Sequence, residues 1–279
     1  MRKKNLQILA KIQFLNITKY LTVLKYFFYY LDKLYLLFIP KPKIENSKKQ
    51  VLLLANLGLG DAMNFLSVAK KYRDLYPKNK FYITILVPKG IDIILREETE
   101  FDSIICVDFN SAIVNLVKRF KLIKLVNFKN YDVLIDIMGI VGASINVYLC
   151  NASYAKEKIT INNIAYSSCP TFLQKKGYSK VYTINNTKIS NVEYYNYLYD
   201  FINNEKSDIV LHKTKNYKLS LNLPLKYYIV FPGASSDFRK WSADNYINLI
   251  EKIYNKISLP VVFLGTLKEK EIVDYITSS

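Results

Sequence analysis

Histidine is almost missing from this chain. His212, between Leu211 and Lys213, is the only one in 279 residues. A lone imidazole excludes a His-rich metal site and a Ser-His-Asp triad, and His212 reads as ordinary surface. Cysteine is scarce too. Cys106, Cys150 and Cys169 are odd in number and form no CxxC or similar ligand spacing, so they read as small buried hydrophobes in a reducing compartment. Eight Gly and eight Pro are too few for a fibrous or disordered chain. Uncharged runs are short. Lys11, Lys19, Lys25, Asp32 and Lys33 interrupt the apolar first 39 residues, leaving nothing near the ~20 residues of a transmembrane helix. Lys11 also breaks any signal-peptide core, and no small-residue cleavage site follows.

Acidic residues are the other shortage. With 23 Asp and Glu against 40 Lys and Arg, the net charge is +17, which favours anionic partners such as a phosphorylated substrate or an acidic membrane surface. A Lys-, Ile-, Asn- and Tyr-rich composition imposed by an AT-rich genome gives the same excess. Nucleic acid is not among the expected partners. The lysines are spread along the sequence rather than clustered with aromatics on a recognition element, and no nucleic-acid motif occurs.

What the sequence does have is periodicity. Lys4, Lys11, Thr18, Lys25 and Asp32 recur every seven residues, which on a helix makes one narrow polar stripe beside a broad apolar face. Such a segment suits an anionic membrane interface; it equally suits a leading helix packed on the protein's own body. The polar stretch KPKIENSKK (41–49) ends it. From Val51 the pattern alternates. VLLLA (51–55) is a continuous apolar run of the kind expected for a parallel strand covered on both faces. A helix is expected over 62–75, strands over 81–87 and 103–107, a helix over 111–126 and a strand over 131–137. Short strands at 158–161 and 180–184 precede a Tyr-rich helix over 191–203. Strands alternating with helices predict a doubly wound α/β sheet. A second unit begins at YYIVF (227–231), with a helix from Ala243 to Lys256, a strand at 260–265 and a helical start at 267–276. A Rossmann-like domain normally needs on the order of 100 residues or more. This second domain is therefore expected to be incomplete, the sequence being truncated at its C-terminus.

Two strand-to-helix loops carry the chemistry. In ANLGLGDAMNF (55–65), Gly58 and Gly60 form the loop, but Met63 stands where a dinucleotide fingerprint wants Gly or Ala. Asp61 is expected to cap the following helix. It also sets a carboxylate at the mouth of the sheet, where it can take a proton from an attacking hydroxyl. PGASSDFRKW (232–241) has the opposite sign. Gly233, Ala234, Ser235, Ser236, Arg239 and Lys240 combine backbone and hydroxyl donors with two cations, a set matched to a diphosphate. A solvated basic turn with Trp241 in the core is the alternative.

Three segments in order, VLLLANLGLGDAMNFLSVAKKYRDLYP, YDVLIDIMGIVGAS and YYIVFPGASSDFRKWSADNYINLIEKI, resemble glycosyltransferase family 9, the lipopolysaccharide heptosyltransferases. The resemblance spans roughly residues 48–275. It implies a GT-B architecture of two Rossmann-like domains: an acceptor-side domain (48–215) and a partial donor-binding domain (216–279); the basic amphipathic helix and linker (1–47) read from the repeat precede them. It further implies inverting transfer of a sugar, by default heptose from ADP-heptose, to a lipopolysaccharide core or related glycan, with Asp61 as general base and no obligatory metal or cofactor. The nucleotide-sugar is a substrate. The expected partners are that donor, a lipid-linked anionic acceptor and an anionic membrane surface reached through residues 1–39. The expected location is cytoplasmic, peripheral on the inner membrane. The alternative is an inactive fragment that retains only acceptor or membrane binding.

Overall fold

The computed structural model describes residues 23–42, 47–140, 144–165, 176–213, 215, 221–234 and 237–278. The protein divides into two compact units, Met1–Lys215 and Asn216–Ser279. The first is built on six parallel strands: β1 (Lys49–Leu54), β2 (Phe81–Val87), β3 (Ser103–Cys106), β4 (Val133–Asp136), β5 (Glu157–Asn163) and β6 (Lys180–Ile184). Their order is β3-β2-β1-β4-β5-β6. Val51 of β1 lies level with Ile83 on one side and Val133 on the other. The backbone runs outward from β1 to β3, then returns to place β4 beside β1, so the strand order reverses there. In open α/β sheets that reversal opens a crevice at the carboxyl ends of the strands.

Alternate residues of β1 serve opposite cores. Leu52 and Leu54 meet one apolar layer, while Val51 and Leu53 meet the other. The first layer holds α1 (23–37), α5 (Ser111–Val114), α6 (Leu116–Val126) and α7 (Ile145–Asn151). The second holds α2 (Leu59–Ala69), α3 (Tyr72–Leu75), α4 (Ile91–Glu98) and α8 (Asn191–Asn203). The second unit pairs β7 (Tyr228–Val230) with β8 (Val261–Phe263) in parallel and adds α9 (Ala243–Ile257) and α10 (Lys270–Ser278). No helix among the described residues is long and apolar enough to cross a membrane.

Several elements differ from expectation. The expected 62–75 helix starts earlier, at Leu59, and breaks at Lys70–Lys71, where i+3 bonds from Lys71, Arg73 and Asp74 tighten the turn. Asn115 splits the expected 111–126 helix. Its extended backbone ends α5, and its side chain accepts from the Lys118 amide at 3.0 Å to start α6. Helices α4 and α7 are additional. All seven residues of α7 are buried, so no polar face gives its sequence a helical period. Cys150 is buried as expected, but Cys106 is exposed; Cys169 lies outside the described residues. His212 is not ordinary surface. Its Nε2 sits 3.0 Å from Glu98 Oε2, and both side chains are buried.

The polar stripe of α1 faces inward. Asp32 is buried against Arg119 of α6, with its two oxygens 2.6 Å from Nε and Nη2. The guanidinium lies between the rings of Phe28 and Tyr148, 4.5 and 4.6 Å from their centroids. Around this pair Tyr29, Leu36 and Ile39 are buried, Tyr35 stacks on Phe120 at 4.1 Å, and the Tyr154 hydroxyl donates to the Leu36 carbonyl. Lys4, Lys11 and Thr18 lie outside the described residues.

Asp136, the last residue of β4, is also fully buried. It accepts from Tyr178 Oη at 2.7 Å, Asn146 Nδ2 at 2.8 Å and the Met138 amide at 3.2 Å. Burial outweighs these bonds and raises its carboxyl to about 6.

Two consequences are measurable. Arg119→Ala leaves a buried carboxylate unpaired, so it should cost the first unit about 3–5 kcal/mol in urea unfolding followed by circular dichroism. Asp136 titrates higher in the folded state than unfolded. Its favourable contribution is therefore complete below about pH 4 and is lost as pH rises through about 6. Across that window stability should fall by ~3 kcal/mol relative to Asp136→Asn, measured by unfolding both proteins at a series of pH values.

Candidate functional site

Strand β1 delivers the backbone to the carboxyl end of the sheet. The Ala55 amide still bonds to the Leu86 carbonyl at 3.0 Å, and the Leu57 amide turns back to the Ala55 carbonyl at 2.8 Å. Gly58 then occupies the cap position of α2 with φ −74°, and the helix has no side-chain cap. Gly60 lies in the first turn with open space where a Cβ would stand. Asp61 is therefore not the cap but the third residue of the helix, in a first turn whose dipole favours a negative charge. The reason is geometric: the helix begins at Leu59, one turn ahead of where the apolar pattern starts.

Asp61 is held from a distant element. Asn191 Nδ2 donates to its Oδ1 at 2.9 Å. Asn191 opens α8, fixed by a capping box in which Ser190 and Glu193 bond reciprocally. Asp61 and Asn191 line a cavity of about 270 Å³ together with Asn163, Ile189, Met138, Ile140, Tyr194 and Tyr195. Burial, then the Asp61 charge, pushes the Tyr195 phenol well above its ordinary value, so it stays neutral. The Tyr194 hydroxyl donates to the Met138 carbonyl at 3.1 Å, clamping the loop after β4. Gly139 in that loop has φ +71°, and a Cβ there would strike the Tyr194 hydroxyl and the Ile161 carbonyl. Only glycine fits.

The second loop lies in the second unit, after β7. Gly233 packs on Glu269, whose Cγ and Cδ would stand 2.9 Å from an added Cβ. Ala234, with Phe231, Thr266 and Glu269, borders an open depression of about 640 Å³. Arg239 ends a short 3-10 turn, Asp237–Arg239. It is exposed, with its guanidinium 5.5 Å from the Phe238 ring centroid. Lys240 is exposed as well. Bonds from Thr266, helped by the Lys240 charge, hold the Glu269 carboxyl below its usual range. Ser235 and Ser236 lie outside the described residues. Trp241 is 46% exposed and meets Tyr246 edge-on at 5.2 Å, rather than entering a core.

The sequence singles out Asp61, Gly58 and Gly60 but not Asn163, Asn191, Tyr194, Tyr195 and Gly139 around them, nor Glu269 beside the second loop. The Ser-Asn-Val-Glu run at 190–193 is a capping-box signature and marks the start of α8. Nothing in it says that Asn191 meets a carboxylate 130 residues earlier.

No protein-family model matches the sequence, and neither does any curated protein. Solved structures do. The Escherichia coli heptosyltransferase WaaC with ADP-2-deoxy-2-fluoro heptose is 16% identical, with a TM-score of 0.57, over 82% of this chain and 73% of that one. A family 9 glycosyltransferase from Veillonella parvula is 15% identical, with a TM-score of 0.63, over 85% and 69%. The E. coli ADP-heptose lipopolysaccharide heptosyltransferase II is 14% identical, with a TM-score of 0.55, over 82% and 68%. At such identities the likeness is one of fold alone: the chain has an α/β fold similar to that of the family 9 glycosyltransferases and heptosyltransferases.

Proposed function

We propose that the protein is an inverting glycosyltransferase, moving a sugar from a nucleotide-diphosphate donor to a hydroxyl of a lipid-linked anionic glycan. Heptose from an ADP-heptose donor and a lipopolysaccharide core acceptor are the default pair. The observation that carries this reading is the Asp61 carboxylate in a cavity at the strand-order reversal, in a fold shared with heptosyltransferases.

Asp61 takes the proton of the acceptor hydroxyl as its oxygen bonds to the anomeric carbon. The bond from that carbon to the diphosphate breaks on the opposite face, and the electron pair leaves with the nucleotide. Arg239 and Lys240, with Ser235 and Ser236, bind the departing charge. Asn191 orients the base through Oδ1. The neutral rings of Tyr194 and Tyr195 give the acceptor sugar an apolar wall with polar groups at its edges. The site of action is the cytoplasmic face of an anionic membrane, in keeping with the +17 charge.

Asp61→Asn keeps the Asn191 neighbour but removes the base. It should lower kcat by about 10²-fold or more with the melting temperature unchanged; transfer at the wild-type rate would refute the role. Arg239→Ala combined with Lys240→Ala should weaken ADP binding about 10- to 100-fold in isothermal titration calorimetry. Wild-type protein that binds no ADP would leave the non-catalytic alternative, a surface for acceptor or membrane alone.

A further inference from the structure

Helix α1 is amphipathic the wrong way round for a surface helix in water. Its one acid, Asp32, is buried, and Lys33 turns to the Asn151 carbonyl, while Val23, Phe27, Tyr30, Leu34 and Leu37, with Phe38 just past the helix, are 54% to 77% exposed. These positions fall on one side of the helix, opposite Tyr29, Asp32 and Leu36. A continuous row of exposed aromatic and aliphatic side chains marks an interaction surface.

The row has a neighbour. Helices α1 and α6 pack on each other through Asp32–Arg119 and Tyr35–Phe120, and both turn their inner faces to the same core. Their outer faces therefore point the same way. On α6 that outer face carries Val117, Lys121 and Lys124, with Phe128 just past the helix end, all exposed. Leu24 and Phe28 of α1, Ile113 of α5 and Arg119 of α6 border one cavity, so the two helices and the short α5 adjoin at that end. Segment 116–128 contains no Asp or Glu, and the single acid of 23–38, Asp32, is neutralised by Arg119.

We propose that α1 and α6 form one docking face for an anionic phospholipid bilayer. The α1 row sinks into the headgroup and acyl boundary, and the α6 lysines engage lipid phosphates. Apolar side chains flanked by cations, with no exposed carboxylate on either helix, complement such a surface. The inference rests on the membrane-surface reading above and extends it from the N-terminal segment to a second, distant helix. The Asp32–Arg119 pair makes the extension specific. By turning the one acid of α1 inward, it leaves only apolar groups to face the lipid.

The test is flotation of the full-length protein with phosphatidylglycerol–phosphatidylethanolamine vesicles and with phosphatidylcholine vesicles, on three proteins side by side. These are the wild type, an α6 variant (Lys121→Glu, Lys124→Glu) and an α1 variant (Phe27→Ser, Leu34→Ser). All substitutions are at exposed positions, and circular dichroism checks that each protein is folded. The expected result is binding to the anionic vesicles that weakens with salt and falls about tenfold or more in each variant. Loss in the α1 variant with unchanged binding in the α6 variant would overturn the two-helix face while leaving membrane association through α1 intact. Absence of wild-type binding would overturn both. So would a dimer in sedimentation that the α1 variant dissolves, since a second copy would then cover the row. None of these readouts uses sugar transfer, so failure of the transferase reading is seen separately.

Discussion

A parallel strand leaves no face for water, and that constraint organises the first unit. Each central strand must be covered above and below, so every connection between strands has to lay a helix or an extended loop across one side. With both faces filled, the free backbone groups and side chains gather at the two ends of the strands. At the carboxyl end, the reversal between β1 and β4 parts the departing loops, and Asp61 and the Met138–Gly139 loop stand on either side of the gap. The position of the candidate site is a result of sheet topology. Its chemistry is the result of a few side chains placed there.

Two buried carboxylates show how environment divides one residue type into different tasks. Asp32 faces a guanidinium with bidentate geometry and ties α1 to α6. Asp136 has only neutral donors, so burial raises its proton affinity and it responds to mild acid. Asp61 differs from both in reaching a cavity, and that access suits it to exchange a proton with a ligand.

Much of the first unit is legible in the sequence. The apolar run at 51–55 and the alternation of strands and helices report local physics, and the strands lie close to where that physics places them. The unread parts depend on distance or on uniform burial. Helix α7 is buried all round, its two asparagines included, and shows no period. Asn115 breaks a helix through its own side chain rather than through Gly or Pro. The stripe of α1 was visible as a repeat, but its direction was not, because Arg119 decides it from 87 residues away. The site followed the same rule. Asp61 was readable from its strand–loop–helix setting, whereas Asn191, Tyr194 and Tyr195 reach it only through the docking of α8.

That dependence on α8 sets an order of assembly. Asp61 is synthesised 130 residues before the amide that orients it, and Tyr194 arrives well after the Met138 carbonyl it clamps. Contacts of such sequence separation form late, because a long loop must close before either bond is gained. A nascent polypeptide that has completed β1 to β5 holds Asp61, Met138, Ile140 and Asn163 of the cavity but not yet Ile189, Asn191, Tyr194 and Tyr195. Only the segment after β6 closes the pocket, so the cavity around Asp61 is complete only once nearly the whole first unit has been made.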